Sequence, residues 1–400
     1  MKILLAVARI IVGVLFIFSG LIKANDPLGL SYKMQEFFEV WNMHWMNDYT
    51  LAMSLIMIAF EIVAGVAVLV GWQMRLFSWL LLLLIIFFTF LTGYALFSGK
   101  IRECGCFGDC IPLTADQSFL KDLVLLALIG FIFVNRNKIK PILSTRNSVI
   151  VLFFSAIFSV AFMWHVLAHL PILDCLPYKV GNNIPEKMRI PPGAVPDSTV
   201  ITFVYQKEGK EVEFTASEFP DDFNDSLYTF VRRYDKVVRK GTGLPAIMDF
   251  SLTTAYGNDT TQALLNDNRE QLYLFLRNGY DIGDWTDELE AIMQVAIKKN
   301  IEGYIVTNVP LDELIAEGAP KAFAMMVPLS CDGVAIKTAA RANPVLMRIK
   351  GGTIMGKWSY FDFKNAFEEI SQVAANPPLP EPEQPADAPT QSESTTTDQP

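Results

Sequence analysis

Hydrophobic patterning divides the chain near residue 170. Before that point apolar residues gather in five long runs, 3–22, 51–71, 76–98, 118–134 and 148–169. Crossing a hydrocarbon core of about 30 Å takes about 20 helical residues, so each run predicts a membrane-spanning helix. The fourth run is the shortest, and Lys121 and Asp122 at its start are expected to snorkel or to lie at the interface. Between the first two runs, Met34, Phe37, Phe38, Trp41 and Trp45 recur at helical spacing with Lys33, Glu36, Glu39 and Asn42 between them. That pattern predicts a helix over 31–47 lying flat at the membrane surface, as an aromatic anchor or as a lid, with His44 as a surface residue.

After residue 170 the periods shorten and alternate. Thr199–Tyr205 and Glu211–Thr215 read as a hairpin. A strand at Gln271–Leu276, a helix at Asp284–Lys299, a strand at Glu302–Thr307 and a short helix at Leu311–Ile315 follow. Next come an apolar segment at Phe323–Val327, a helix at Gly333–Arg341, and strands Val345–Lys350 and Thr353–Trp358 joined by Gly351-Gly352. A βαβ unit followed by a β-hairpin is an α/β pattern. The resulting division is a four-helix membrane domain over 1–140, a fifth span within 141–170, a soluble domain over 171–375 and a tail over 376–400. The tail is so rich in Pro, Glu, Ser, Thr and Gln that it is expected to be disordered.

Composition agrees with a membrane protein that carries a water-soluble half: 52% of the 400 residues are hydrophobic and 19% charged. Loop charge orients the bundle, because lysine and arginine are retained on the cytoplasmic side. Lys2, Arg75 and the group Arg136, Lys138, Lys140 and Arg146 mark that side, so the N-terminus is expected inside. Five spans then put residues 171–400 outside, in a compartment that permits disulfides. Arg9 interrupts the first apolar run, which favours an uncleaved span over a signal peptide.

Outside also lies the loop Cys104-Gly-Cys106-Phe-Gly-Asp-Cys110. Thiols held at a bilayer surface, on a backbone that glycine lets turn tightly, can exchange disulfides with a client or pass electrons to a lipid-soluble carrier. Cys104, Cys106 and Cys110 are therefore the candidate catalytic residues. Three thiols cannot all pair with one another, and Cys175, just past the fifth span, is a candidate partner. Closing Cys104 on Cys106 makes a tight ring, whereas Cys106 with Cys110 spans a comfortable turn. The alternative is that two ordinary disulfides staple the loop to the fifth span. A metal is not expected, since C-x-C-x3-C lacks the separated ligand pairs of structural zinc. Cys331, alone in the soluble domain, reads as a buried inert thiol or as a docking partner for the loop.

Two charges fall within spans. Arg9 lies about 9 Å from the start of the first run and Glu61 about 15 Å from the end of the second, close enough in depth to be expected to pair. Glu61 could alternatively carry protons. His165 and His169 sit one turn apart near the end of the fifth span, where they could bind a metal, a haem or a quinone headgroup, or hydrogen-bond to neighbouring helices.

Arg9, Gly13, Phe16, Ser19-Gly20, Lys23 and Asp26-Pro27, with Glu61 and Gly65, resemble the first two spans of the DoxX family. The cysteine loop ahead of the fourth span resembles that of the related MauE proteins, which are associated with methylamine utilisation and with disulfide formation in a periplasmic dehydrogenase subunit. Together these resemblances cover about residues 1–140. They imply an α-helical membrane bundle in a bacterial inner membrane, with the C-terminal domain periplasmic.

Residues 270–360 resemble a thioredoxin-like domain, carried by Arg341-Ala342-Asn343-Pro344-Val345 with Pro344 as its cis-proline. Where thioredoxins carry Cys-x-x-Cys, this chain has Arg277–Trp285 without a thiol, so binding is expected rather than dithiol chemistry. Asn343 and Pro344 are the candidate client-docking residues.

Three functions fit these observations. The first is a thiol-disulfide redox component exchanging electrons between external client thiols or disulfides and the membrane, with no cofactor required and quinone as a candidate acceptor. The second is a quinone-associated subunit with purely structural disulfides. The third is a non-enzymatic envelope interaction protein. Membrane lipids and a periplasmic thiol or disulfide client are the expected partners, and nucleic acid is not among them.

Overall fold

The structure, a computed structural model, describes residues 2–98, 101, 105, 107–194, 198–207, 210–215, 219–220, 223–224, 227–239, 243–248, 250–277, 283–314 and 319–378. Helix α1 (Lys2–Asn25) is followed by α2 (Pro27–Val40), α3 (Thr50–Val70), α4 (Met74–Ser98), α5 (Ala115–Val134) and α6 (Thr145–His169). All but α2 are long and apolar enough to cross a membrane, and a 3-10 turn at His44–Tyr49 extends the second span. The protein is thus a multi-pass membrane protein with five candidate spans, as the five apolar runs predict.

Local chemistry sets the helix ends. Helix α2 starts where Asp26 accepts a hydrogen bond from Gly29 N (2.9 Å) and Pro27 supplies the fixed φ of a first turn. It stops at Val40, short of the expected 47, and Trp45 lies exposed in the 3-10 turn. Helix α3 ends on Gly71, whose φ of +75 allows its N–H to reach back to Ala67 O at 2.8 Å.

Helices α1 and α3 pack closely because glycines face each other. A β-carbon on Gly65 would lie 2.9 Å from Gly13 O and 2.8 Å from Ile17 Cγ1, and one on Gly13 would lie 2.5 Å from Leu69 Cγ. Small residues at such a crossing let backbones approach, which matters where lipid offers no hydrophobic drive between helices. Helix α4 packs on α5, and α6 packs on α3. Asp122, expected at the interface, is instead buried in α5 and accepts a hydrogen bond from Thr92 Oγ1 at 3.0 Å. Thr92 on the neighbouring helix and the Lys121 ammonium, 2.7 Å from the other carboxylate oxygen, together offset its desolvation.

The remaining chain is mixed α/β with two sheets. After a short α7 (Ile184–Lys187), β1 (Ser198–Lys207), β2 (Lys210–Thr215) and β3 (Tyr228–Arg239) form an antiparallel sheet in the order β2-β1-β3. The hairpin was legible in the sequence, but β3 was not. Helix α8 (Thr261–Leu265) leads to β4 (Glu270–Leu276), α9 (Trp285–Lys298), β5 (Glu302–Thr307), α10 (Leu311–Leu314) and β6 (Val327–Ser330). Then follow α11 (Gly333–Ala339), β7 (Val345–Lys350), β8 (Thr353–Ser359) and α12 (Phe363–Gln372). This sheet has the order β6-β5-β4-β7-β8, with β4, β5 and β6 parallel and β7 and β8 antiparallel additions. The apolar segment expected at 323–327 is a 3-10 turn over Lys321–Met325, and its strand begins only at Val327.

Strand β4 is buried on both faces, which is why its sequence runs unbroken. Leu272, Leu274 and Leu276 face α9 and α12, while Tyr273 and Phe275 face Tyr178, Ile184 and Phe250. The ordered domain extends past the expected core boundary at 360. Asn376, assigned to the tail from sequence, is buried, donating to Glu270 O at 2.8 Å and accepting from Glu270 N at 2.9 Å. The rest of the tail from residue 379 lies outside the described residues.

Valine at Gly65 is expected to separate α1 from α3 and to cost about 1–3 kcal/mol, the usual penalty of overpacking. Valine at Gly130, where a β-carbon would meet nothing within 4 Å, is the control and should leave stability unchanged. Unfolding midpoints of the purified variants in denaturing detergent check both, and equal midpoints would contradict the packing assignment.

Candidate functional site at the cysteine loop

Membrane and soluble domains meet where the cysteine loop leaves α4 and the chain leaves α6. Gly105 and Gly108 take φ of +66 and +57, and Gly108 N donates to Gly105 O at 3.0 Å, so the loop turns tightly as its glycines suggest. Cys110, at the end of that turn, is disulfide-bonded to Cys175, with Cα atoms 4.9 Å apart. Two residues before Cys175, Leu173 is tied to the end of α1: Asn25 Nδ2 donates to Leu173 O at 2.8 Å, and Leu173 N donates to Asn25 Oδ1 at 3.0 Å.

Both bonded cysteines follow an aspartate, and each aspartate is held by a cation of the soluble domain. Arg341 Nη2 donates to Asp109 at 2.7 Å, while its Nε donates to Asp26 at 2.9 Å and its Nη1 to Lys337 O at 2.6 Å. Lys357 Nζ donates to Asp174 at 3.0 Å and to Tyr178 O at 3.2 Å. Burial alone would lower the Arg341 guanidinium, but Asp26 and Asp109 outweigh it and hold Arg341 above its ordinary value. Burial also presses the Lys357 ammonium below its ordinary value, against the pull of Asp174. Tyr32 of α2 completes the junction: its hydroxyl accepts from Arg277 Nη1 at 2.6 Å, and its ring lies 5.3 Å from Arg341 and 5.4 Å from Lys337 Nζ.

Beneath the loop, the helices enclose a cavity of about 160 Å³ that Phe107 helps to wall. Its polar end holds Lys23 and Glu61, paired at 2.6 Å with 4% and 1% of their side chains exposed. Ser19 Oγ donates to the other Glu61 oxygen at 3.3 Å. Lys121 Nζ lies 2.7 Å from Asp122 and 5.1 Å from the centre of the Phe107 ring. Lys23 and Phe88 also line a second, more apolar cavity between α2, α3 and α4, bounded by Phe38, Trp41, Met53 and Met57. A polar end beside a small apolar cavity suits an amphiphilic ligand.

Several expected residues come together here and others do not. Cys104 and Cys106 lie outside the described residues. Arg9 and Glu61 do not pair: Arg9 donates instead to Val68 O (3.2 Å) and Leu69 O (3.0 Å) at the end of α3. Depth counted from the span ends ignores the register of α1 on α3, which puts Arg9 beside the last turn of α3 and Glu61 beside Gly20. His169 Nδ1 lies 2.9 Å from Asp362 and ties α6 to the α/β domain, while the His165 ring lies 4.8 Å from that of His169 on the same helix. Among the described residues no group of three or more His, Cys, Asp and Glu is placed to hold a metal.

The Asn343-Pro344 bond is cis, as expected, but the Asn343 side chain is occupied. It accepts from Arg277 N at 2.8 Å and donates to Arg277 O at 3.2 Å, and the segment around it faces the membrane domain through Arg341. Cys331 is buried, and burial pushes its thiol up to about 12, so it is inert at ordinary pH. Sequence reasoning missed Arg341, Lys357, Asp109, Asp174 and Tyr32 as site residues, and used Lys23 only as part of a resemblance. The available signal was the aspartate before each of Cys110 and Cys175.

Residues 1–135 match the family of the methylamine utilisation protein MauE, and residues 199–240 match a domain of unknown function, DUF8463. Protein TlpB of Flavobacterium psychrophilum is 27% identical over 133 residues, 31% of this chain and 35% of that relative. The match thus spans little more than a third of the relative's own length. No solved structure matches the chain.

Removing one member of a buried ion pair strands the other in the membrane interior, at a cost of about 3–5 kcal/mol. Lys23→Met and Glu61→Gln should each destabilise the bundle on that scale, and the double variant Lys23→Met with Glu61→Gln should lose much less than the sum. A double-mutant cycle on detergent unfolding measures this; additive losses would mean that the two charges do not interact.

Proposed function

We propose that the protein is a membrane thiol-disulfide redox component, passing electrons between client thiols and a lipid-soluble acceptor of quinone class. The observation that supports it best is one of placement. The Cys110–Cys175 disulfide closes a loop whose Phe107 is a wall of the cavity holding Lys23 and Glu61. The match of residues 1–135 to the MauE family points the same way.

In this reading the client dithiol attacks the disulfide, and two electrons pass to the cysteine pair while the client becomes a disulfide. Two protons accompany them. Cys104 and Cys106 carry the electrons on from Cys110, and a quinone headgroup in the cavity accepts them and leaves as quinol. Lys23 uses one of its three hydrogens on Glu61 and can offer another to a carbonyl oxygen. In the same reading Glu61, which lines that cavity, holds a proton on its way to that oxygen.

The N-terminus is cytoplasmic in this reading, and the cysteine loop and soluble domain face the periplasm, where clients carry disulfides. The soluble domain is a thioredoxin-like scaffold without its dithiol, a reading supported by the parallel pair β4–β5, the antiparallel pair β7–β8 and the cis Asn343-Pro344 bond. Its Pro344 face serves the membrane domain of the same chain before any external client. That assignment follows from Arg341 reaching Asp26 and Asp109.

Rapid acid quenching of cells followed by maleimide labelling tests the reading. Cys110 and Cys175 should be found in mixed redox states that move toward reduction when respiration is blocked. A pair that stays fully oxidised under every condition leaves the disulfide as a structural staple and removes the redox function.

A further inference from the structure

We propose that Arg341 and Lys357 are positioning residues through which the soluble domain sets the redox poise of the Cys110–Cys175 pair. The two cysteines belong to different elements, 65 residues apart, and their sulfurs can bond only if both segments are held in place. Each segment is held one residue before its cysteine. Arg341, four residues ahead of β7, grips Asp109, and Lys357, in β8 opposite Met347, grips Asp174.

The asymmetry of exposure gives direction to these contacts. The cations are anchored, with 6% of the Arg341 side chain and 3% of the Lys357 side chain exposed, whereas Asp109 and Asp174 are exposed to 32% and 25%. A cation buried to that degree must keep its partners, so the carboxylates follow the cations and not the reverse. Arg341 adds a second anchor on Asp26 and a third on Lys337 O, which fixes its plane.

A thiolate of an external dithiol attacks one sulfur of the pair and displaces the other cysteine as a thiolate. The second external thiol then attacks the mixed disulfide, so that two electrons leave the dithiol and both cysteines end as thiols, carrying its two protons. Throughout, Asp109 stays on Arg341 and Asp174 on Lys357, and the displaced sulfur remains close to the one it left. Re-closure is then close to intramolecular, with a high effective concentration, and the disulfide is favoured over the dithiol. The structure thereby assigns the soluble domain a share in the chemistry of the loop. The use of that poise rests on the redox function proposed above, but the poise itself can be measured without any client.

The measurement is a redox titration of the full chain in lipid nanodiscs, equilibrated against reduced and oxidised glutathione. Trapped peptides carrying Cys110 and Cys175 are then counted by mass. Arg341→Gln, Asp109→Asn and Lys357→Met are each expected to lower the equilibrium constant for closing the disulfide about tenfold, which corresponds to about 30 mV. Arg341→Lys and Asp109→Glu, which keep the charges, should recover most of that loss. If Arg341→Gln does not fold, Asp109→Asn answers alone, because that side chain is partly exposed and Arg341 keeps Asp26. Constants within about threefold of the wild type, in variants with an unchanged proteolytic pattern, would overturn the proposal. A shifted constant together with a pair that never cycles in cells would instead leave the positioning role standing and remove the proposed function.

Discussion

One guanidinium, that of Arg341, joins the start of α2, the cysteine loop and the α/β domain. It lies buried between the carboxylates of Asp26, at the start of α2, and Asp109, in the cysteine loop. Without it the largely buried carboxylate of Asp26 would face the half-buried carboxylate of Asp109 with no cation between them, a repulsion that burial strengthens. With it, three chain segments separated by 83 and 232 residues hold one arrangement, since Asp26, Asp109 and Arg341 meet at a single group. The neighbouring contacts follow from that placement. Tyr32 lies under Arg341 and Lys337, Asn25 holds Leu173, and Lys357 holds Asp174 beside the disulfide.

The membrane half was the more legible part of the sequence. A run of twenty apolar residues has few other outcomes, so the five spans were readable from composition alone. In the α/β half, Gln271–Leu276 was recognisable because a strand buried on both faces keeps an almost unbroken apolar pattern. Strand β3 was not, since Tyr228–Arg239 mixes charge among its apolar residues and pairs on one side only, with β1. Helix α12 was missed although Phe363, Ala366, Phe367 and Ile370 are spaced as one face of a helix, because the thioredoxin-like resemblance stopped at residue 360, short of it.

The site was less legible than the fold, for a physical reason. Arg9 and Glu61 were matched by depth, but an ion pair inside a bundle depends on the register between helices, and Lys23 was the residue in register. The pairing of Cys110 with Cys175 stayed open for the same reason, because loop length cannot say which sulfurs a second domain brings together. Arg341 and Lys357 had no pattern of their own. Their role depends on burial, and burial of a lone cation is a property of the tertiary structure.

In the proposed function electrons pass from the disulfide to the bilayer through the cavity under Phe107, which has Lys23 and Glu61 at its polar end. The most direct measurement follows the absorbance of a quinone analogue in nanodiscs holding the full chain, after a dithiol is added. The account predicts quinone reduction well above the rate with lipid alone, lost in Cys110→Ser and strongly slowed in Glu61→Gln. Equal rates for the wild type and Cys110→Ser would contradict it.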